Sequence, residues 1–352
     1  MQRKIRDMVL ILAVACTSMT SVSPSHAQPV PQRASLTAIP KYAAIMIDPQ
    51  TGEVLYAHQP DVERHPASIT KVMTMFILFE EIRAGRVKMS DRVPFSFTAR
   101  NQAPSRLGVG AKETISVDEA IQALATKSAN DVAYAVAEFV SGSEKQFVER
   151  MNKRAREIGM KSTNFANPTG LPNPSHHSTA RDIATLSRAM LSQFPNYYTY
   201  FRQRQFTWNG QVMPNHNKLL GNALGVDGIK TGYTAASGFT LAAAASRNGK
   251  RLITVVLGAP TSDARNRNVE ALLSAGYALL DERQQGRKGQ SVSSRMNESD
   301  FAPSIERAIA SSEMRPISAR PDTDRATLKP AVQTRTGSSQ RAGTSSGGAT
   351  LK

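Results

Sequence analysis

Apolar and polar positions follow two different periods along this chain, and the switch between them orders the elements. Ala43-Ala44-Ile45-Met46-Ile47 and Val54-Leu55-Tyr56-Ala57 are short apolar runs around Asp48-Pro49-Gln50-Thr51-Gly52. Turn residues at that spacing predict a β-hairpin with a longer loop. After Pro66 the pattern changes. Ile69, Val72, Met73, Met75, Phe76, Ile77, Phe79 and Ile82 cover nearly every side of a helix, which predicts a central, buried one. Helical spacing continues over 118–125, 131–140, 144–158 and 179–191, the last with Thr179 as N-cap and Asp182 three residues on. Strand character returns over 237–246 and 251–259, joined through Asn248-Gly249, a strong hairpin signal. A closing amphipathic helix follows over 268–280. Strands, a helical block, strands and a last helix predict an α+β domain whose terminal segments share one antiparallel sheet.

The flanks differ from this stretch. The chain has 352 residues, 40% of them hydrophobic, and the apolar periodic segments lie between 41 and 280, enough for a substantial core. Arg3, Lys4 and Arg6 precede a short apolar run and then Ser25-His26-Ala27, so 1–27 reads as a signal peptide. Its run is shorter than the roughly 20 residues of a membrane span, which makes a retained anchor the minor alternative. Residues 28–40 read as a flexible leader. From 284 to 352 Ser, Arg, Gly, Pro and Thr dominate, predicting a basic, disordered tail with room for a short helix near 304–311. The single cysteine, Cys16, falls in the signal, so the processed chain has no disulfide or thiolate. Ala13-Val14-Ala15-Cys16 loosely matches a lipoprotein processing site, a second minor alternative. The net charge of +16 suits anionic envelope polymers. No basic cluster is interleaved with aromatics, which argues against nucleic acid, and the six scattered histidines supply no metal-binding spacing. No cofactor is expected.

Three short elements carry candidate chemistry. Ser68-Ile69-Thr70-Lys71 places a hydroxyl and an amine three residues apart, hence on one helical face. A serine hydroxyl needs a base to become a nucleophile, and a lysine among apolar residues can be held neutral to serve as one. Ser128-Ala129-Asn130 lies on the break between two helices. There Ser128 could relay a proton, and Asn130 offers a donor and an acceptor to an amide. Lys230-Thr231-Gly232 stands just before an inferred strand, where Lys230 and Thr231 could hold a carboxylate and Gly232 could admit a substrate close to the backbone. Each element alone reads better as a cap or a turn. All three in this order form the signature of serine penicillin-binding proteins and class A β-lactamases.

Around them the sequence resembles the low-molecular-weight D-alanyl-D-alanine carboxypeptidases, over 41–283. Pro66-Ala67-Ser68-Ile69-Thr70-Lys71, Asn167-Pro168-Thr169-Gly170-Leu171, Ser178-Thr179-Ala180-Arg181-Asp182, Asn215-His216-Asn217-Lys218-Leu219-Leu220 and Asp227-Gly228-Ile229-Lys230-Thr231-Gly232-Tyr233-Thr234 carry the likeness. The resemblance implies a β-lactamase/transpeptidase-like fold, an antiparallel sheet flanked by helices. It implies a peptidoglycan stem peptide as substrate and β-lactams as covalent inhibitors. By it Ser68 attacks the penultimate D-alanine carbonyl, Lys71 is the base, Ser128 the relay, and Asn130 binds the peptide amide. Lys230 and Thr231 hold the terminal carboxylate, and the Ser68 and Tyr233 N–H groups form an oxyanion hole. Arg265 stands where the family has an arginine assisting that carboxylate, against an equal reading as an exposed basic residue. His216 is a weaker site-lining candidate.

Departures narrow the reading. Ala129 replaces the commoner Gly of the second element. The Glu motif by which a class A β-lactamase activates its deacylating water is missing between Ser128 and Lys230, with Asn164 at the corresponding place. The Ser/Arg-rich tail shows no large apolar face, favouring an exported, soluble envelope or periplasmic protein over a tethered one. A DD-endopeptidase and a non-catalytic envelope binding protein stay open as alternatives.

Overall fold

The computed structural model describes residues 41–289 and 291–294. The hairpin β1 (Ala43–Ile47) and β2 (Val54–His58) leads through a 3-10 turn, Ala67–Thr70, into α1 (Lys71–Arg83). Then come β3 (Arg92–Pro94), α2 (Phe97–Arg100), β4 (Thr114–Ser116), α3 (Val117–Ala125), α4 (Asn130–Ser141), α5 (Glu144–Glu157) and α6 (Ala180–Gln193). β5 (Gln205–Trp208), β6 (Gln211–Pro214), β7 (Val226–Thr234), β8 (Gly238–Arg247), β9 (Lys250–Ala259) and α7 (Ser262–Gln284) complete the order. The five-stranded sheet runs β2-β1-β9-β8-β7, antiparallel at every pairing. β1 and β9, far apart in sequence, thus pair, and β7 is left as an edge strand.

The sheet is covered on both faces, so its central strands show little polar alternation. In β1, Ala43, Ile45 and Ile47 join the core beneath the helical block. Ala44 and Met46 turn the other way, toward the Val269, Leu272 and Leu273 side of α7, as the two-residue strand period requires. Ala242 and Ala244 of β8 face the helices while Ala243 and Ala245 face α7. α1 passes through the middle of the helical block, with every residue from Lys71 to Phe79 buried. Its Glu81 carboxylate accepts from Arg86 at 2.6 and 2.8 Å and from Arg150. The Arg86 bond above all holds its pKa down, to about 2.

Expected and observed elements agree in kind and differ at informative places. α1 begins at Lys71 because Ala67–Thr70 winds as a tighter 3-10 turn, so Ser68 sits on the turn. Lys230-Thr231-Gly232 lies inside β7, not before a strand; two glycines, an aspartate and a lysine conceal the strand's apolar signal. α7 starts before 268, at a Thr261 cap that accepts from Ala264 N–H at 3.0 Å, because its first turn is polar. The paired strands β3/β4 and β5/β6 are too short to show a period. The expected signal, leader and tail helix lie outside the described residues. Among the described residues no helix is long and apolar enough to cross a membrane.

Candidate active site

The three sequence elements converge on one cleft of about 280 Å³. The 3-10 turn brings Ser68, the α3–α4 break brings Ser128 and Asn130, and the β7 edge brings Thr231, Gly232 and Tyr233. Arg265 reaches in from the first turns of α7 and is 4% exposed, which overturns its reading as a surface residue. His216 and Lys218 line the mouth.

Lys71 is the centre of the helical wall. It is fully buried, and its Nζ lies 3.1 Å from Ser68 Oγ, 2.6 Å from Asn130 Oδ1 and 2.6 Å from the Thr169 carbonyl. Burial pushes its pKa well below that of a free lysine, the charge of Lys230 pushes it further, and Asp131 pulls it partly back. Both effects follow from placing an ammonium in a dry, cationic setting. Ser128 occupies a left-handed conformation, φ 62°, and its buried Oγ has no hydrogen-bond partner among the described residues.

On the sheet wall Lys230 is also buried, 2% exposed, and its Nζ donates to the Thr231 carbonyl at 3.1 Å. Burial first and Arg265 second lower its pKa to about 7. Arg265 falls to about 10 through burial. His216, desolvated and facing Lys230, is lowered to about 4 and so is a neutral imidazole at neutral pH. Gly232 is required for a reason other than substrate approach. A Cβ there would lie 2.8 Å from Ser68 N and 2.7 Å from Thr240 Oγ1, so the glycine lets β7 close against the serine turn.

Three supports escaped the sequence reading. Asn167 Oδ1 accepts from Thr169 N–H at 3.2 Å and Gly170 N–H at 2.7 Å, folding the 167–171 loop so that the Thr169 carbonyl points at Lys71. Gly170 has φ +80°, and a Cβ on it would come 1.9 Å from the Ala67 carbonyl. His176 is buried; Ala166 N–H donates to its Nδ1 at 3.2 Å, so Nε2 carries the hydrogen given to Thr70 Oγ1 at 2.8 Å. Asp131 takes Leu107 N–H at 2.9 Å and Gly108 N–H at 2.8 Å, while Asn130 Nδ2 donates to the Ala103 carbonyl at 2.8 Å. Those bonds pin the 103–108 loop, whose Pro104 and Ser105 roof the cleft. Asp131 and Thr169 were legible only as members of a motif, since backbone acceptors and donors leave no mark in sequence.

Residues 30–261 match the family described as D-alanyl-D-alanine carboxypeptidase. The chain belongs to that family. It is 35% identical over 286 residues to D-alanyl-D-alanine carboxypeptidase DacF of Bacillus subtilis, covering 80% of this chain and 73% of that one. It is 32% identical over 288 residues to DacA of Escherichia coli, covering 79% and 71%. Among solved structures, penicillin binding protein 5 from Haemophilus influenzae shares 35% identity at a TM-score of 0.65, over 67% of this chain and 70% of that one. Penicillin-Binding Protein D2 from Listeria monocytogenes, in its cefotaxime-bound form, shares 31% at 0.61, over 67% and 96%. The α+β fold expected from the element order is the fold of this family.

Proposed function

We propose that the chain is a serine DD-carboxypeptidase that removes the terminal D-alanine of peptidoglycan stem peptides through an acyl-enzyme on Ser68. The observation that carries this reading is the set of three oxygens around Lys71 Nζ. Two are carbonyl oxygens, which can only accept. A neutral amine has two hydrogens and one lone pair. With the hydrogens given to Asn130 Oδ1 and Thr169 O, the lone pair is left for the Ser68 hydroxyl. Burial and Lys230 favour this neutral form.

In the acylation step Ser68 Oγ bonds to the penultimate D-alanine carbonyl carbon and its proton passes to Lys71 Nζ. The carbonyl oxygen becomes an oxyanion facing the Ser68 and Tyr233 N–H groups. Lys71 passes the Ser68 proton to Ser128 Oγ as Ser128 gives its own to the departing amine, so the C–N bond breaks, free D-alanine leaves and Lys71 is again neutral. Water then attacks the ester, and the shortened stem departs as a carboxylic acid. Lys230, Thr231 and Arg265 hold the terminal carboxylate, and Asn130 orients the acyl-side amide. A β-lactam enters by the same attack and stays as an ester.

The catalytic unit is 41–283, and the neighbouring segments fit an exported envelope protein whose tail, 284–352, binds anionic polymer. Removal of 290–352 is expected to lower low-salt retention on envelope fragments; equal retention would remove that role. The substrate assignment is tested by incubating the enzyme with a stem pentapeptide and a cross-linked stem dimer. Free D-alanine from the pentapeptide, with the dimer left whole, is expected. Cleavage of the dimer alone would make the enzyme an endopeptidase, and cleavage of neither would favour a binding protein.

A further inference from the structure

Arg265 enters the cleft with its guanidinium already held, and the residue that holds it belongs to none of the three sequence elements. Asn266 Oδ1 accepts from Arg265 Nε at 3.1 Å and from Nη2 at 2.8 Å. A guanidinium has only donors, so the Asn266 atom facing it is the oxygen. Residues one apart on a helix project in different directions and do not face each other. Adjacency alone does not produce this contact. It exists because the arginine side chain bends toward its neighbour's amide.

The bond decides which hydrogens stay free. Of the five guanidinium N–H groups, two go to Asn266 and one, on Nη1, goes to the Thr240 carbonyl at 3.5 Å. One hydrogen on Nη1 and one on Nη2 remain. Those two nitrogens form the second edge of the fork, and such an edge binds a carboxylate through two parallel bonds. Arg265 lines the cleft together with Thr231 and Gly232, and its charge is felt at Lys230. The terminal carboxylate of a bound stem lies among these groups.

The chemistry of the holder carries the inference. Arg265 is buried, and buried charges are ordinarily paired with an opposite charge. Here every bond the guanidinium makes is to a neutral oxygen. Asp263 attracts it from two residues away without a bond. An aspartate at 266 would orient the guanidinium equally well, but it would cancel the charge that an incoming carboxylate needs. An amide orients it and leaves the charge in place.

We infer that Asn266 is a positioning residue for recognition of the terminal carboxylate: its neutral amide fixes Arg265 with the Nη1/Nη2 edge open and the charge uncancelled. The inference rests on the catalytic reading above, in which Arg265 is one of the groups on that carboxylate.

The test compares kcat/KM on diacetyl-Lys-D-Ala-D-Ala and on the same peptide ending in D-alaninamide, which lacks the terminal charge. The acid-to-amide ratio reads carboxylate recognition and is insensitive to partial loss of folded protein. Arg265→Ala is expected to lower the ratio about thirtyfold, within the range of lost charged hydrogen bonds, and Asn266→Ala about fivefold. The double variant should match Arg265→Ala alone, because Asn266 acts only through Arg265. Asn266→Asp is expected to lower the ratio about tenfold with Tm unchanged or higher, since it gives the buried guanidinium an ion-pair partner. A merely structural residue would move stability and activity together. A ratio unchanged in Asn266→Ala, a further loss in the double variant, or a wild-type ratio in Asn266→Asp would overturn the inference and leave the catalytic reading intact. A wild type that neither releases D-alanine from the acid peptide nor forms a penicillin adduct would overturn both.

Discussion

On the helical wall of the cleft Lys71 is gripped by three oxygens from three segments of chain. On the sheet wall Lys230, equally buried, donates to its own neighbour's carbonyl and faces Arg265 with no carboxylate in ion-pair reach among the described residues. The first arrangement fixes the direction of a lone pair. The second concentrates positive charge at a strand edge, where an anionic end group would be bound. The two lysines are coupled, since the Lys230 charge lowers the Lys71 pKa. On the proposed reading, the sheet wall that would hold the ligand also favours the neutral form of the lysine on the helical wall.

Breaking the helical wall should cost most. Lys71→Ala is expected to slow acylation by about 10³-fold, within the span of general-base effects. Lys71→Arg should do no better, because a guanidinium keeps its proton. Penicillin acylation rates read both, and a loss under tenfold would relieve Lys71 of the base role.

Lys230→Gln is expected to lower kcat/KM on a D-Ala-D-Ala peptide by about 10²-fold through loss of a charged hydrogen bond. Its second consequence is specific to the coupling. With a neighbouring cation gone, Lys71 holds its proton to higher pH, so the acid limb of acylation should move upward. An unmoved limb would separate the two walls.

Asp131→Asn is expected to cost about tenfold in kcat/KM, since an amide cannot accept from both Leu107 and Gly108 and the cleft roof loosens. Asp131 raises the Lys71 pKa, so the acid limb here should move downward, opposite to Lys230→Gln. The same direction in both variants would contradict the electrostatic account.

The smallest effect belongs to His176. Burial lowers its pKa to about 4, below the roughly 6.5 of an unfolded histidine. The unfolded chain thus takes up this proton first. The stability contributed is present above about pH 6.5 and falls away as pH drops through 4. His176→Phe should flatten that part of a pH-melting curve and slow acylation only a few-fold. An equally steep acid slope in the variant would assign the loss to other groups.

The sheet and its helical block were legible because apolar period is a local property. The hairpins at Asp48–Gly52 and Asn248-Gly249 and the all-apolar α1 each follow from their own residues. The residue types of the site were legible through the order of three short elements. The cradle that directs Lys71 was not, because the Thr169 carbonyl is a backbone atom placed by the side chain of Asn167. Arg265 was undecided for a related reason. Its burial depends on the β8 strand, whose Thr240 carbonyl accepts from its guanidinium and which only the folded sheet brings to α7. The β7 strand was hidden by the residues its edge needs, Gly232 among them.

The central claim is that Ser68 is an acylable nucleophile prepared by Lys71. Wild-type protein and Ser68→Ala, both shown folded by circular dichroism, would be incubated with a fluorescent penicillin and resolved on a denaturing gel. A covalent band on the wild type, absent from Ser68→Ala, is the predicted result. A band of equal strength on the variant, or none on the folded wild type, would contradict it.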